Sequence, residues 1–537
     1  MESDRDEIQQ SVEIEVTGSA WPDAVSDGDL AWLGGEQVEI PPSLPALVAM
    51  TAMRSPDDVA VRAGSEILTY RELVAASRRL ARRIRDFGDE PGQVVLVNHE
   101  PGIEYAVAVL AAITARCHAA PLHPDLPSRR VEAIVRVATP SLVLGNPVEG
   151  LKSVRSWDVG GEIDDAPLAH ATVQDPCYAL FTSGSTGVPK GVRMHQLPVA
   201  NLARFEATRV RASVGARTAQ LAPLGFDVAF QEMFGTWAMG GELVTVPLGV
   251  RKNPARLVEF LAEHRITRLY CVPLLLRMIA RASNLLEHPP LDLREIVTSG
   301  EVLRIDEGIR EFGRACPDLG IINQLGAAET IQTTSVDLGT ESESWPEFPD
   351  LGRPIPGVQL RVVSGNGEPL PLDSEGEIEI GGFGPAVGYL GDTDSAQFKR
   401  DDFGRWYRTG DRGKIDPEGR LVYLGRRDHQ VKIRGFRIEL GDVEQAFRSL
   451  PGVREAVVEA VESPSQDRQL MALIVMEKDV EEVSLLDDLR QALPPWMIPQ
   501  RLRIVDSIPV GGNGKIDRLA VKRRFLESHH PSQPKMI

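Results

Sequence analysis

Thr182-Ser183-Gly184-Ser185-Thr186-Gly187 sets two glycines and four hydroxyl residues within six positions, and Lys190 follows closely. Backbone N–H groups unshielded by a Cβ, hydroxyls and one ammonium are the groups that surround a phosphate. The same composition also describes a flexible surface turn. A Walker A loop needs a glycine before the lysine and a Ser or Thr after it. Here Pro189 precedes Lys190 and Gly191 follows, so that match fails. Two further residues carry chemistry only in company. Asp411, in Thr409-Gly410-Asp411, is by itself a capping aspartate, and Lys515, in Asn513-Gly514-Lys515, is by itself a solvated turn lysine.

The elements that must position these groups are readable from periodicity. Tyr178-Ala179-Leu180-Phe181 is strand-like and would present the glycine-rich loop at a sheet edge. Thr69 and Glu72 form a capping box ahead of Leu73, Ala76, Leu80 and Ile84 at helical spacing, and Gly88 is expected to end that helix. Val94-Val95-Leu96-Val97 reads as a buried strand and Glu104 to Ala115 as a helix. This alternation runs to about Arg310 and predicts an α/β fold with a largely parallel sheet. After Thr340, Gly and Pro become frequent and strands alternate, as in Gln359 to Val363 and Glu377 to Ile380. The expected division is an acidic, loosely ordered leader over 1–42, a large α/β domain with a β-rich subdomain over 43–427, and a small, mobile α+β domain over 428–537.

Composition narrows the function classes. With 59 basic against 77 acidic residues, a formal charge of −18 disfavours nucleic-acid or anionic-membrane partners, which need a basic face. Four dispersed cysteines without a CxxC pair predict reduced thiols rather than zinc or disulfides. Met1 to Asp6 lacks a signal-peptide pattern, and no apolar run approaches the roughly 18 residues of a membrane span, so a cytoplasmic location is expected.

Phe181 to Gly191 resembles the phosphate-loop signature of the adenylate-forming superfamily, which includes acyl-CoA synthetases, firefly luciferase and the adenylation domains of nonribosomal peptide synthetases. Further segments resemble that family's motifs in the family's order: Leu68-Thr69-Tyr70-Arg71-Glu72-Leu73, Tyr407-Arg408-Thr409-Gly410-Asp411, Gly425 to Gly435, and Asn513-Gly514-Lys515-Ile516-Asp517-Arg518. The resemblance implies ATP and Mg2+ as cofactors. It implies that Thr182, Ser183, Gly184, Ser185, Thr186, Gly187 and Lys190 hold the β- and γ-phosphates, and that Glu329 is the magnesium-associated glutamate. By the same resemblance Asp411 accepts hydrogen bonds from the ribose hydroxyls, Arg426 contacts the ribose or phosphate side, and Leu325 and Gly326 border the base. Lys515 bridges the substrate carboxylate and the α-phosphate, Asp428 is the hinge, and Gly435 lies near the path of an incoming thiol.

Phe226-Asp227-Val228-Ala229-Phe230-Gln231-Glu232 resembles the segment that opens the acyl pocket of peptide-synthetase adenylation domains, whose aspartate pairs with the substrate ammonium. A buried carboxylate needs a cation, so Asp227 implies an amino acid. By resemblance the lining is completed by Val228, Gln231, Tyr270, Val297, Ser299, Gln324, Gln332 and Thr333, polar but without charge beyond Asp227. That disfavours Lys, Arg, Asp and Glu side chains and leaves proline, another small to medium neutral amino acid or a β-amino acid.

Leu325-Gly326-Ala327-Ala328-Glu329 departs from the family's aromatic-Gly-Pro-Thr-Glu. Ala328 cannot donate the hydrogen bond of a threonine, worth roughly 1.5–3 kcal/mol at a charged group. Pro385-Ala386-Val387-Gly388-Tyr389 also lacks the arginine common before the Gly-Tyr pair. The chain closes about twenty residues after Lys515 with no Leu-Gly-Gly-x-Ser attachment signature. Transfer to the phosphopantetheine of a separate carrier protein is therefore expected, and some relatives also need a small MbtH-like helper protein. An acyl- or aryl-CoA ligase shares the nucleotide motifs, and a noncatalytic homologue draws its support from Leu325 to Ala328.

Overall fold

The computed structural model describes residues 30–87, 91–154, 171–182, 189–209, 211, 215–286, 289–391, 396–426, 430–462, 468–477, 482–509 and 516–526. Two large sheets form most of the molecule. One has seven strands, Gly388–Tyr389, Lys190–His195, Pro176–Thr182, His118–Pro121, Val94–Asn98, Leu142–Gly145 and Ser153–Val154 in spatial order. Its pairs from Pro176–Thr182 onward are parallel, and the two strands at the other edge run antiparallel. The second sheet has nine strands, with a parallel centre built from Gly320–Ala327, Glu295–Thr298, Arg268–Cys271, Arg217–Gln220, Glu242–Thr245 and Val59–Ala63.

The helix Ile103–Thr114 is apolar on every side, and each residue from Tyr105 to Ile113 is buried. A helix of that composition has no face for water and must lie inside the molecule. By contrast Tyr70–Asp86 is amphipathic, and the Thr69–Glu72 capping box starts it as its sequence predicts. It ends at Phe87, and Gly88 lies outside the described residues.

A third, antiparallel sheet holds Val358–Val363, Gly376–Gly382 and Gly404–Ile415. Its edge corrects one expectation. Trp32–Gly34, placed by composition in a loosely ordered leader, is a strand paired with Val358–Val363. Ala31 and Leu33 are buried there, and the apolar burial outweighs the acidic surroundings. The small C-terminal part is α+β: a hairpin of Gln430–Ile433 and Phe436–Glu439, a three-stranded sheet, and helices packed on it. The expected boundary at 427/428 lies outside the described residues.

Candidate functional site

The two strands that flank the glycine-rich segment are paired. Pro176–Thr182 pairs antiparallel with Lys190–His195, placing Thr182 opposite Lys190. Ser183, Gly184, Ser185, Thr186 and Gly187 lie outside the described residues. Lys190 Nζ sits 5.6 Å from the centre of the Tyr389 ring, and Tyr389 is in the neighbouring strand. The Tyr389 hydroxyl is 2.9 Å from Glu329 Oε1 and 2.7 Å from Gln397 Oε1. Burial, and then the Glu329 carboxylate, push this phenol well above its ordinary range, so it stays a donor. One tyrosine thus connects the phosphate-loop lysine to the glutamate.

Glu329 is 1% exposed and is held from the other side by the small lobe. Arg437 Nη1 lies 3.0 Å from its Oε1 and 2.8 Å from its Oε2. Ile331, two residues on, has φ +52°, a left-handed conformation rare for a β-branched residue. Such strain costs on the order of 1–3 kcal/mol and concentrates at functional sites. Among the described residues no cluster of three metal-ligating side chains exists. A single carboxylate that already attracts a cation nevertheless suits magnesium, which keeps several waters and takes its other oxygens from substrate phosphates.

Asp411 and Arg426 face each other on paired strands, with Arg426 Nη1 donating to Asp411 Oδ1 at 2.7 Å. Thr409 Oγ1 accepts from the Asp411 amide at 3.0 Å. Lys432, on the small-lobe hairpin, belongs to the same cluster. Burial pushes its ammonium down, Asp411 and Asp227 draw it back up, and Arg437 and Arg426 oppose them. Asp428, the expected hinge, and Lys515, the lysine expected to bridge carboxylate and α-phosphate, lie outside the described residues.

Several of the residues expected to line an acyl pocket are brought together. Asp227 opens the helix Asp227–Met239 and is buried, its Oδ1 accepting from the Val228 amide at 3.0 Å. Burial pushes its carboxyl up to about 6. Tyr270 and Val297 are register partners on adjacent parallel strands, and both pack with Ile322 and Val228. Gln231 Nε2 donates to Gln324 Oε1 at 2.8 Å. Thr333 Oγ1 donates to the Leu325 carbonyl at 3.1 Å, and Gln332 pairs with Gly326. A Cβ on Gly326 would stand 2.3 Å from the Ile331 carbonyl oxygen, which explains the glycine. Ser299, just past the strand Glu295–Thr298, is half-buried. Leu325 is buried in the main core, and the Ala328 carbonyl accepts from the Tyr178 hydroxyl at 2.9 Å. Phe226 meets Phe436 of the small lobe edge to face at 5.2 Å.

Sequence reasoning missed Tyr389, Lys432, Arg437 and Glu206. Tyr389 and Lys432 stood inside quoted motifs without a role, and Arg437 lies two residues beyond the segment Gly425 to Gly435. Glu206 gave no signal, because a glutamate in a helix reads as solvated.

The AMP-binding enzyme model matches residues 48–390, and the model of that enzyme's C-terminal domain matches 442–515. The chain belongs to the AMP-binding enzyme family. The Anguibactin system regulator of Vibrio anguillarum is 34% identical over 502 residues, covering 89% of this chain and 47% of that protein. Phenyloxazoline synthase MbtB of Mycobacterium sp. (strain MCS) is 32% identical over 490 residues, covering 89% and 42%. The chain thus spans less than half the length of these curated relatives. Among solved structures, holo-PA1221, a peptide-synthetase protein with adenylation and PCP domains bound to a vinylsulfonamide inhibitor, superposes with TM-score 0.77 at 26% identity. That match covers 90% of this chain and 84% of the other. The expected α/β architecture of this AMP-binding enzyme, with a large N-terminal and a small C-terminal domain, is borne out. Among its described residues no helix is long and apolar enough to cross a membrane.

Proposed function

We propose that this AMP-binding enzyme uses ATP to convert an amino acid to its aminoacyl-AMP with release of pyrophosphate, then passes the acyl group to the phosphopantetheine thiol of a carrier domain. The observation that carries the reading is Asp227: a carboxyl expected at the acyl pocket that burial pushes up to about 6. Lys432 attracts this carboxylate only partly against its burial, and a substrate ammonium would add the further cation it needs. An aryl or fatty acid would add none.

The chemistry required is the joining of two anions, a carboxylate and a polyphosphate. Lys190 would neutralise the terminal phosphates, and Glu329 would hold magnesium, which supplies charge neutralisation at the phosphate oxygens. Asp411 would orient the ribose through its two acceptor oxygens, and Lys515 would bridge the reacting carboxylate and α-phosphate. The relatives' names support the carrier step, since PA1221 pairs adenylation with a PCP domain. The rival reading is an acyl- or aryl-CoA ligase. Pyrophosphate exchange with amino acids and with matched aryl acids separates the two: exchange with an aryl acid and no amino acid would sink the proposal.

A further inference from the structure

Behind the acyl pocket lies a buried charge network. Glu206, on the helix Gln196–Ala207, has no exposure. Its Oε2 accepts from the Tyr270 hydroxyl at 2.7 Å, and its Oε1 accepts from Gln231 Nε2 at 2.7 Å. Burial pushes the Tyr270 phenol well up, so it serves as donor. Arg268 Nη2 and Arg209 Nη2 stand 3.1 and 3.3 Å from Glu206 Oε1. Both guanidiniums also pair with Glu295, at 2.6 and 2.8 Å. Two carboxylates and two guanidiniums balance, so this floor presents no net charge to a substrate. Gly235 makes room for it, since a Cβ there would lie 2.2 Å from Glu206 Oε2.

This network fixes the direction of two neutral amides. A carboxamide nitrogen has two protons, and Gln231 gives them to Glu206 Oε1 and Gln324 Oε1. Turning the Gln231 amide over would set its oxygen against a carboxylate, acceptor to acceptor. Glu206 therefore orients Gln231, and Gln231 orients Gln324. What remains is specific. Gln231 Oε1 and Gln324 Nε2 have no partner among the described residues, although both side chains are 2% exposed. Gln332 Oε1 is likewise unpartnered at 3% exposure. Each such group costs about 1–3 kcal/mol until something hydrogen-bonds to it.

We propose that the pocket takes an amino acid whose side chain ends in a carboxamide or ureido group, with Glu206 as the residue that positions its reader. This rests on the reading of the site as an amino-acid pocket. A planar, neutral group with a donor and an acceptor side by side meets the free oxygen of Gln231 and the free amide of Gln324 together. An acidic side chain would face the Gln231 oxygen, a basic one would find no unpaired anion, and leucine would leave both amides unused.

The test is pyrophosphate exchange by the full chain with asparagine, glutamine and citrulline against leucine, aspartate and proline, plus aryl acids. The expected result is a kcat/KM for one amide-bearing substrate at least about 100-fold above leucine and aspartate, because sites built to hydrogen-bond reject analogues lacking the group. Preference for an apolar or acidic amino acid, or for proline, overturns this proposal and leaves the amino-acid reading intact. Exchange with aryl acids alone overturns both. Gln231→Leu should lower the ratio of amide substrate to leucine by about 100-fold, and an unchanged ratio overturns the inference. Glu206→Gln should raise KM for the amide substrate more than it lowers kcat. If exchange is silent with every acid, calorimetric binding of the same panel decides, with tighter binding of leucine or proline counting against the proposal.

Discussion

Arg437 of the small lobe places one nitrogen within 3.0 Å of both carboxylate oxygens of Glu329 in the large domain. The glutamate expected to serve the nucleotide's metal is thus held by a guanidinium across the domain interface. A metal reaching those oxygens would compete with Arg437 for them. Docking of the hairpin and metal binding at Glu329 would then oppose each other, and loss of Arg437 would favour the metal-holding arrangement.

Arg437→Ala should separate the two half-reactions. Removing one member of a buried pair leaves the other uncompensated, at a cost of roughly 3–5 kcal/mol. The cost falls on the docked arrangement. On the reading that the docked hairpin, with Gly435 beside the expected thiol path, is the acyl-transfer arrangement, transfer from preformed acyl-AMP should slow by at least about tenfold, while pyrophosphate exchange changes by less. Single-turnover transfer against steady-state exchange reads the ratio, and equal losses would refute the division.

Gly435→Ala should act on the same docking. Arg434 and Gly435 both have positive φ, +54° and +78°, in a two-residue turn that joins Ile433 to Phe436, the type I′ geometry of a tight hairpin. A Cβ on Gly435 would lie 2.3 Å from Val272 Cγ1, and the Gly435 amide donates to Glu301 Oε1 at 3.0 Å. Left-handed backbone alone costs an alanine roughly 1–2 kcal/mol, so transfer should fall about tenfold or more. Transfer at the wild-type rate would show that the turn does not dock during that step.

Asp227 makes amino-acid binding pH-dependent. Its carboxyl titrates near 6 instead of near 3.8, raised by burial. The folded chain therefore binds this proton more tightly than the unfolded one, and stability falls as the pH rises from about 4 to about 6. Above 6 the ionised carboxylate is a cost that the substrate ammonium relieves. KM for the amino acid should rise about fivefold as the pH falls from 6 to 5, and bound amino acid should raise Tm more at pH 7 than at pH 5. Asp227→Asn should remove the KM dependence and weaken binding about ten- to a hundredfold. A flat KM in the wild type would remove Asp227 from amine recognition.

Lys515→Ala should abolish exchange and spare transfer, the opposite of the Arg437 and Gly435 variants. Pyrophosphate exchange and transfer from preformed aminoacyl-AMP measure the two arms, and parallel loss would refute the bridging role.

What the sequence made legible was what is local. Thr69 and Glu72 cap a helix three residues apart, and Val358–Val363 and Gly376–Gly382 show their alternation within a single strand. Thr182 and Lys190 meet because the strands that end and begin at them pair with each other. Trp32–Gly34 was not legible, since a three-residue strand has no periodicity and its partner lies far along the chain. Arg437 reads as a strand residue until the lobes meet. Glu206 reads as a helix surface residue until Gly235, Tyr270 and Arg268 close over it from three distant segments.

The sharing of Glu206 among Tyr270, Gln231, Arg268 and Arg209 also bears on how this pocket can evolve. Replacing Tyr270 alone takes a proton from a carboxylate oxygen that water cannot reach, and replacing Glu206 alone leaves two guanidiniums to one anion. New substrate preferences that alter Tyr270 or Glu206 are therefore reached more readily through coupled double changes than through single ones.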